Sequence, residues 1–407
     1  IYMTKKFTFS ILALLACKSI FAQFECNTPR YQSEVFTAVT KTADIVYGSN
    51  PNGDASLKLD FYEPTGDVLP KRPLIILAHG GSFYLGTKND ADIVTLCNRF
   101  AKMGYATASI NYTLGFDAFP PNAGSAERTV YRTVHEMKAA IRYFRKDAAT
   151  TNTYKIDPSM IIVGGSSAGA FIALHTAYLD QISELPTSID TTGKNGLEGI
   201  CGNPGYNSIP QIVVNLCGAI GDSAWMKNNN QPVVSMHGTN DNVVPYGSAI
   251  ISLSGIQLMP VDGSASLDEQ AGKLGLIHDL KTWNNQGHVP YASSTAYMDS
   301  TVTFVKDFLY NTLCSMTLGN PESKISDFNF DVFPNPADNA LSIKLPVNSK
   351  ATHYQIIDLA GKVVMSSILK NSEETIHLNT KDLKTGLYSI TVFTENGKSS
   401  KKLSILH

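Results

Sequence analysis

The chain has 407 residues, with 33 basic against 35 acidic side chains, a formal net charge of −2 and 43% hydrophobic residues. That length exceeds one typical domain, and a balanced charge with no basic patch argues against nucleic acid as a partner. Beyond the N-terminus nothing approaches the ~20 uninterrupted apolar residues of a membrane span. No metal-ligand spacing or nucleotide-binding glycine loop occurs, so no metal and no cofactor are expected. In chain order, Met3-Thr4-Lys5-Lys6 and the apolar stretch from Phe7 to Ala16 have the dimensions of a secretory signal. Cleavage after Ala22 is expected, which makes residues 1–22 a signal peptide. Cys17 leaves with it, and Cys26, Cys97, Cys201, Cys217 and Cys314 enter a compartment that permits disulfides. At least one is left unpaired, and their spacing leaves the connectivity open.

Residues 23–318 read as one catalytic domain. Apolar runs near residues 57–62, 74–78, 105–110, 160–164, 212–217 and 232–236 alternate with helical patterns around 90–102, 126–147, 168–180 and 296–312. Strands alternating with helices predict an α/β fold, a mostly parallel sheet with helices on both faces. Val130, Val134, Met137, Ile141 and Phe144 form a core-facing stripe on the second helix.

Four segments carry chemistry. The strand Leu74–Ala78 ends in His79-Gly80-Gly81-Ser82-Phe83, where glycines let backbone N–H groups turn toward a substrate carbonyl. The run Ile161–Val163 drops into Gly165-Ser166-Ser167-Ala168-Gly169 and then a helical pattern. This strand, sharp turn and helix make Ser167 the candidate nucleophile, with the N–H groups of Gly81, Ser82 and Ala168 as oxyanion donors. Ser166 is read as the variable residue of the turn. Downstream, the strand Pro232–Met236 leads to His237-Gly238-Thr239-Asn240-Asp241. Asp241 is the expected acid, preferred over Asp222 one strand earlier. His288, in the polar loop Asn284–Tyr291, is the expected base. His135, His175 and His237 read as packed or surface histidines, His278 as structural, and His79 as shaping the oxyanion loop. Phe83 and Trp225 are candidates for the substrate pocket. From Asp180 to Ile209 the pattern dissolves into Gly, Pro, Ser, Thr and Asn, a length that suggests a pocket rim or lid.

On His79-Gly80-Gly81, Asn111-Tyr112, the Gly165–Gly169 turn, His237–Asp241 and Gly287-His288, the chain resembles the α/β-hydrolases of the carboxylesterase and lipase superfamily over roughly residues 35 to 315. Ser82 departs from the third glycine that many esterases of this group carry. Residues 319–330 read as a linker. Residues 331–407 read as a small all-β sandwich of short alternating strands. Val332-Phe333-Pro334-Asn335-Pro336, Asp358-Leu359-Ala360-Gly361-Lys362, Thr385-Gly386-Leu387-Tyr388 and Lys401-Lys402-Leu403 resemble a type IX secretion sorting domain. That resemblance implies a Gram-negative host, the type IX machinery as partner, and release or surface attachment outside the cell. The expectation is a secreted serine carboxylic-ester hydrolase acting on short acyl esters, plant polysaccharide esters or polyesters. The alternatives are a serine peptidase on the same fold or a non-catalytic adhesion module.

Overall fold

The computed structural model describes residues 24–50, 56–227, 230–318, 330–346, 351–358, 363–368, 375–394 and 397–407. The expected signal peptide with Cys17 lies outside these residues, as do residues 319–329 of the expected linker and residues 359–362 of the sorting motif. The chain divides into two compact units between Ser315 and Met316.

In the first unit the described elements run β1 (Val39–Ser49), β2 (Ser56–Pro64), β3 (Arg72–Ala78), α1 (Ala91–Lys102), β4 (Ala106–Ile110), α2 (Ala123–Ala149), β5 (Ile156–Ser166), α3 (Ala168–Tyr178), β6 (Ile212–Leu216), β7 (Ala219–Ile220), β8 (Val233–Gly238), β9 (Ser248–Leu253), β10 (Ile256–Gly263), α4 (Ser264–Leu274), β11 (His278–Trp283) and α5 (Thr295–Leu318). One sheet has the order β1-β2-β4-β3-β5-β6-β8-β11. β1 and β2 join antiparallel, and the strands from β4 onward are parallel. The central strands β3, β4, β6 and β8 are buried along their whole length. Such strands read as continuous apolar runs, which is why they were legible in the sequence.

The elements absent from the sequence reading lie at the margins. β1 is an edge strand with exposed side chains and two irregularities in its pairing. β11 is the opposite edge, and its polar sequence starts at His278, whose Nδ1 is 2.7 Å from Asp268 Oδ1. α4 ends at Gly275, left-handed at φ 67°, so the apolar stretch from Leu274 to Leu280 is a helix end, a turn and a strand start. Helix α2 opens with a capping box between Asn122 and Ser125, and it buries the expected apolar stripe. α3 is buried on every side.

The stretch from Asp180 to Ile209 is irregular apart from a short turn of helix at Ile182–Glu184. It is strapped to the polar flank of α2. Lys138 Nζ donates to Leu197 O (2.9 Å), Arg142 to the carbonyls of Glu198 (2.8 Å) and Gly202 (3.0 Å), and Arg145 to Asn207 O (2.7 Å). Long cationic side chains thus satisfy carbonyls that no ladder reaches. Cys26 and Cys314 form a disulfide that ties the start of the unit to α5, while Cys97, Cys201 and Cys217 are buried free thiols. Burial pushes each of the three thiols up to about 12, which leaves them unreactive.

The second unit contains two antiparallel sheets. Asp331–Phe333, Ala340–Lys344 and Thr375–Asn379 form one. Val363–Ile368, Ala351–Asp358, Gly386–Thr394 and Gly397–Ile405 form the other. Leu341, Ile343, Ile356, Ile390, Val392 and Leu403 are buried in one cluster, the inward half of each alternating strand.

His135 on α2 and His175 on α3 are buried, and burial lowers both to about 4. His175 Nδ1–H donates to Phe171 O and its Nε2 accepts from Gly221 N–H, so both nitrogens are satisfied only in the neutral ring. Unfolded histidine titrates near ~6.5. As pH falls, the unfolded chain takes up these protons first, so the stability from neutral burial is present above ~6.5 and lost toward ~4. Denaturant titrations should therefore lose on the order of 3 kcal/mol per histidine across that window, and His175→Gln should flatten the loss. A stability curve that is level through this range would contradict the assignment.

Candidate active site

The site is built at the carboxyl ends of parallel strands, where loops from adjacent strands converge. β5 ends at Ser166 and α3 begins at Ala168, leaving Ser167 alone at the corner with φ 54° and ψ −116°. Few non-glycine residues adopt that conformation, and it costs about 1–3 kcal/mol. The turn is tight because strand and helix nearly touch. A Cβ on Gly169 would collide with the Ala78 carbonyl, and one on Gly165 with the Gly169 backbone. Ser167 N–H donates to Leu216 O at 2.9 Å, which anchors the corner to β6.

His288 Nε2 lies 2.8 Å from Ser167 Oγ, and His288 Nδ1 lies 2.6 Å from Asp241 Oδ2. The structure therefore brings Ser167, His288 and Asp241 together in a line, from the ends of β5, β11 and β8. The Asp241 side chain has no solvent exposure, and its Oδ1 accepts from Val243 N–H and Val244 N–H, both at 2.9 Å. Burial by itself raises a carboxyl pKa. Here the hydrogen bonds from His237 and His288 outweigh it and hold Asp241 well below the usual carboxylate range. Asp222 is elsewhere: it is exposed and caps the turn Ser223–Trp225 by accepting from Ala224 N–H at 2.8 Å.

His237 does more than pack, contrary to the expectation from sequence. Its Nε2 is 3.2 Å from Asp241 Oδ2 and 3.1 Å from Val244 O, both acceptors, so Nε2 carries the proton. Its Nδ1 is 2.8 Å from Ser264 Oγ, which in turn accepts from Asn215 Nδ2 at 3.0 Å. The spacing His237-x-x-x-Asp241 was the available signal, but the turn of the loop that brings the His237 ring back onto Asp241 belongs to the fold.

The loop after β3 carries three successive left-handed residues, Gly81 (φ 104°), Ser82 (φ 54°) and Phe83 (φ 59°). A Cβ at Gly81 would strike the Leu85 carbonyl. Ser82 adopts a backbone that a third glycine would take freely. The loop is braced from behind. The His79 ring stacks on Tyr112 at 4.2 Å, His79 Nδ1 lies 2.7 Å from Gly80 O, and Tyr112 Oη donates to His79 O at 3.0 Å.

Ser82, Phe83, Ser167 and Ala168 line a narrow cavity of about 60 Å³ whose remaining lining is apolar apart from Ser252. Phe116, Ala126, Val130 and Phe171 contribute to it, as do Ile251, Leu253, Leu258 and Met259 of the β9–β10 hairpin. No residue of 181–209 lines it, so the expected rim is supplied instead by a hairpin that the sequence reading did not identify. Trp225 does not line it either. The turn capped by Asp222 carries Trp225 toward α3, edge-on to His175 at 5.6 Å, in a neighbouring cavity that it shares with Leu185 and Pro186.

Residues 59–202 match the BD-FAE family, a group of esterase-like α/β-hydrolases, and residues 331–406 match the secretion system C-terminal sorting domain. The chain carries an esterase-like α/β-hydrolase domain. The sorting domain behind it directs the chain to type IX secretion, as a secreted or cell-surface protein. The hydrolase domain is similar to gut esterase 1 of Caenorhabditis elegans, 24% identical over 165 residues (40% of this chain, 27% of that protein). It is also similar to the quorum-quenching protein AidA of Acinetobacter baumannii, 29% identical over 150 residues (35% and 43%). The chain thus spans less than half the length of these curated relatives. Among solved structures, Thermogutta terrifontis esterase 2 is 20% identical with a TM-score of 0.49, covering 67% of this chain and 94% of its own. A truncated carbohydrate esterase from gut microbiota is 21% identical with a TM-score of 0.47, covering 68% and 98%. Among the described residues no helix is long and apolar enough to cross a membrane.

A buried Asp241 held in the ionised form keeps one imidazole tautomer. Asp241→Asn should therefore lower kcat by about 10⁴, while Asp222→Asn, which alters only a helix cap, should leave it near normal. Because Asp241 is held in the charged form as pH falls, it should add no proton of its own to the acid limb of kcat/KM. A limb that follows two protons would mean that Asp241 titrates within it.

Proposed function

We propose that the hydrolase domain is a serine carboxylic-ester hydrolase that works through an acyl-enzyme, with Ser167 as nucleophile, His288 as general base and Asp241 as orienting acid. The observation that carries this reading is the line of hydrogen bonds, 2.6 and 2.8 Å, that ends at the floor of an apolar cavity. Ser167 Oγ attacks the ester carbonyl as His288 Nε2 takes its proton. Asp241, hydrogen-bonded to Nδ1–H, stabilises the imidazolium. The developing oxyanion lies among the N–H groups of Gly81, Ser82 and Ala168, and losing one such donor costs roughly 3–4 kcal/mol. His288 then returns the proton to the leaving alcohol, and the same steps with water release the acid.

The cavity sets the substrate class on the acyl side. At about 60 Å³, against the ~10–15 Å³ that one water-sized probe occupies, it takes an acyl group of a few carbons. Short acyl esters fit, including those carried on polysaccharides or at polyester chain ends. With the sorting domain, the enzyme acts outside a Gram-negative cell, where such polymers are met.

Initial rates on p-nitrophenyl esters from acetate to decanoate, beside the matching anilides, test the reading. Acetate to butyrate should be preferred, and Ser167→Ala should lower kcat on the order of 10⁶ while the protein stays folded. Anilide cleavage without ester cleavage would replace the esterase with a peptidase. Since every proposed catalytic group precedes Met316, a chain ending at Leu318 should keep its kcat. In the native host it should stay in the periplasm, which fractionation would show.

A further inference from the structure

Three residues beyond His288, Tyr291 is buried with its hydroxyl directly beneath the nucleophile turn. Tyr291 Oη lies 2.7 Å from Ser166 Oγ and 3.3 Å from Leu216 O, the same carbonyl that accepts Ser167 N–H at 2.9 Å. Leu216 O can only accept. The consistent arrangement is therefore a chain in which Ser166 Oγ–H donates to Tyr291 Oη, Tyr291 Oη–H donates to Leu216 O, and Ser167 N–H donates to that carbonyl from the other side. Burial raises the Tyr291 pKa well above its ordinary value, so the phenol keeps its proton. The ring is held against Trp283, the last residue of β11, at 6.1 Å between centroids.

The linker between base and tyrosine is strained. Val289, a β-branched residue, sits in the left-handed region at φ 44° and ψ 54°, and Pro290 follows it. A strained turn of this kind holds its shape only where its surroundings over-determine it, and the Tyr291 hydroxyl is the group that fixes its far end. We propose that Tyr291 and Ser166 form a positioning pair that sets the distance and angle between His288 and Ser167 by hydrogen-bonding the base loop to the nucleophile turn. Ser166 is then not the indifferent residue of the Gly165–Gly169 turn that the sequence suggested. The inference rests on the reading of Ser167 and His288 as nucleophile and base. It adds two side chains that touch no substrate.

Two rates separate the pair from the ester reading. The first is kcat on a p-nitrophenyl ester. The second is the second-order rate at which a fluorophosphonate labels Ser167, which needs the base but no ester. Tyr291→Phe and Ser166→Ala should each lower both rates roughly 10- to 100-fold with KM little changed, as expected when reacting groups are misplaced by less than an ångström. Ser166→Thr, which keeps the hydroxyl, should restore them. The double variant should be no slower than Tyr291→Phe alone, because that change already removes the hydrogen bond that Ser166→Ala removes. A merely structural role would lower the melting temperature and leave both rates per folded molecule unchanged, and that result overturns the pair. Effects that multiply in the double variant overturn it too. A wild-type protein that is labelled but hydrolyses no ester defeats the ester reading and leaves the comparison of labelling rates intact.

Discussion

The site depends on how closely β5, α3 and the end of β3 approach one another. Ala78 pairs with Gly165 in the sheet, and the first turn of α3 crosses directly over that pair. Only hydrogen fits at positions 165 and 169, so the chain has one way through the corner, and it places Ser167 outside the ordinary backbone regions. The surrounding core makes this tolerable. α3 is buried over its full length and β3 on both faces, so relaxing the corner would displace well-packed side chains. The Gly80–Phe83 loop leaves β3 at this same crossing, which brings it beside the Ser167 corner without a further device.

Charge burial is the second constraint. A carboxylate with no access to water is costly unless its oxygens are saturated with donors. Asp241 meets four: two backbone N–H groups that follow it in the chain, and one nitrogen from each of two histidines. The chain through His237, Ser264 and Asn215 leaves His237 one tautomer, so its proton always points at the acid. The relay facing Ser167 is thus one side of a larger buried polar cluster, and partly satisfied clusters of this kind destabilise a fold.

Under the proposed function, substrate selection falls to a part of the chain with no catalytic group. The β9–β10 hairpin pairs with β7 through only two residue pairs at its base, Asp262 with Ile220 and Gly263 with Ala219. Beyond that base it lays Ile251, Leu253, Leu258 and Met259 along the cavity.

The amino-acid sequence determined whatever is encoded locally. Continuous apolar strands, the glycine spacing around Ser167, the loop residues after β3 and β8, and the short alternating strands of the C-terminal unit all carry their meaning within about ten residues. The two edge strands and α4 were not legible, because half-exposed elements lack the apolar periodicity that marks buried ones. Neither was the cavity wall, since a β9 with one face to solvent reads like a loop. Tertiary structure alone decided that His237 also reaches Asp241, that Cys26 meets Cys314, and that Tyr291 lies under Ser166, 125 residues earlier in the chain. It also turned Trp225 away from the cavity and strapped residues 181–209 to α2. Each of these is a contact between distant segments. No local pattern specifies such a contact, because its partner is chosen by the packing of everything in between.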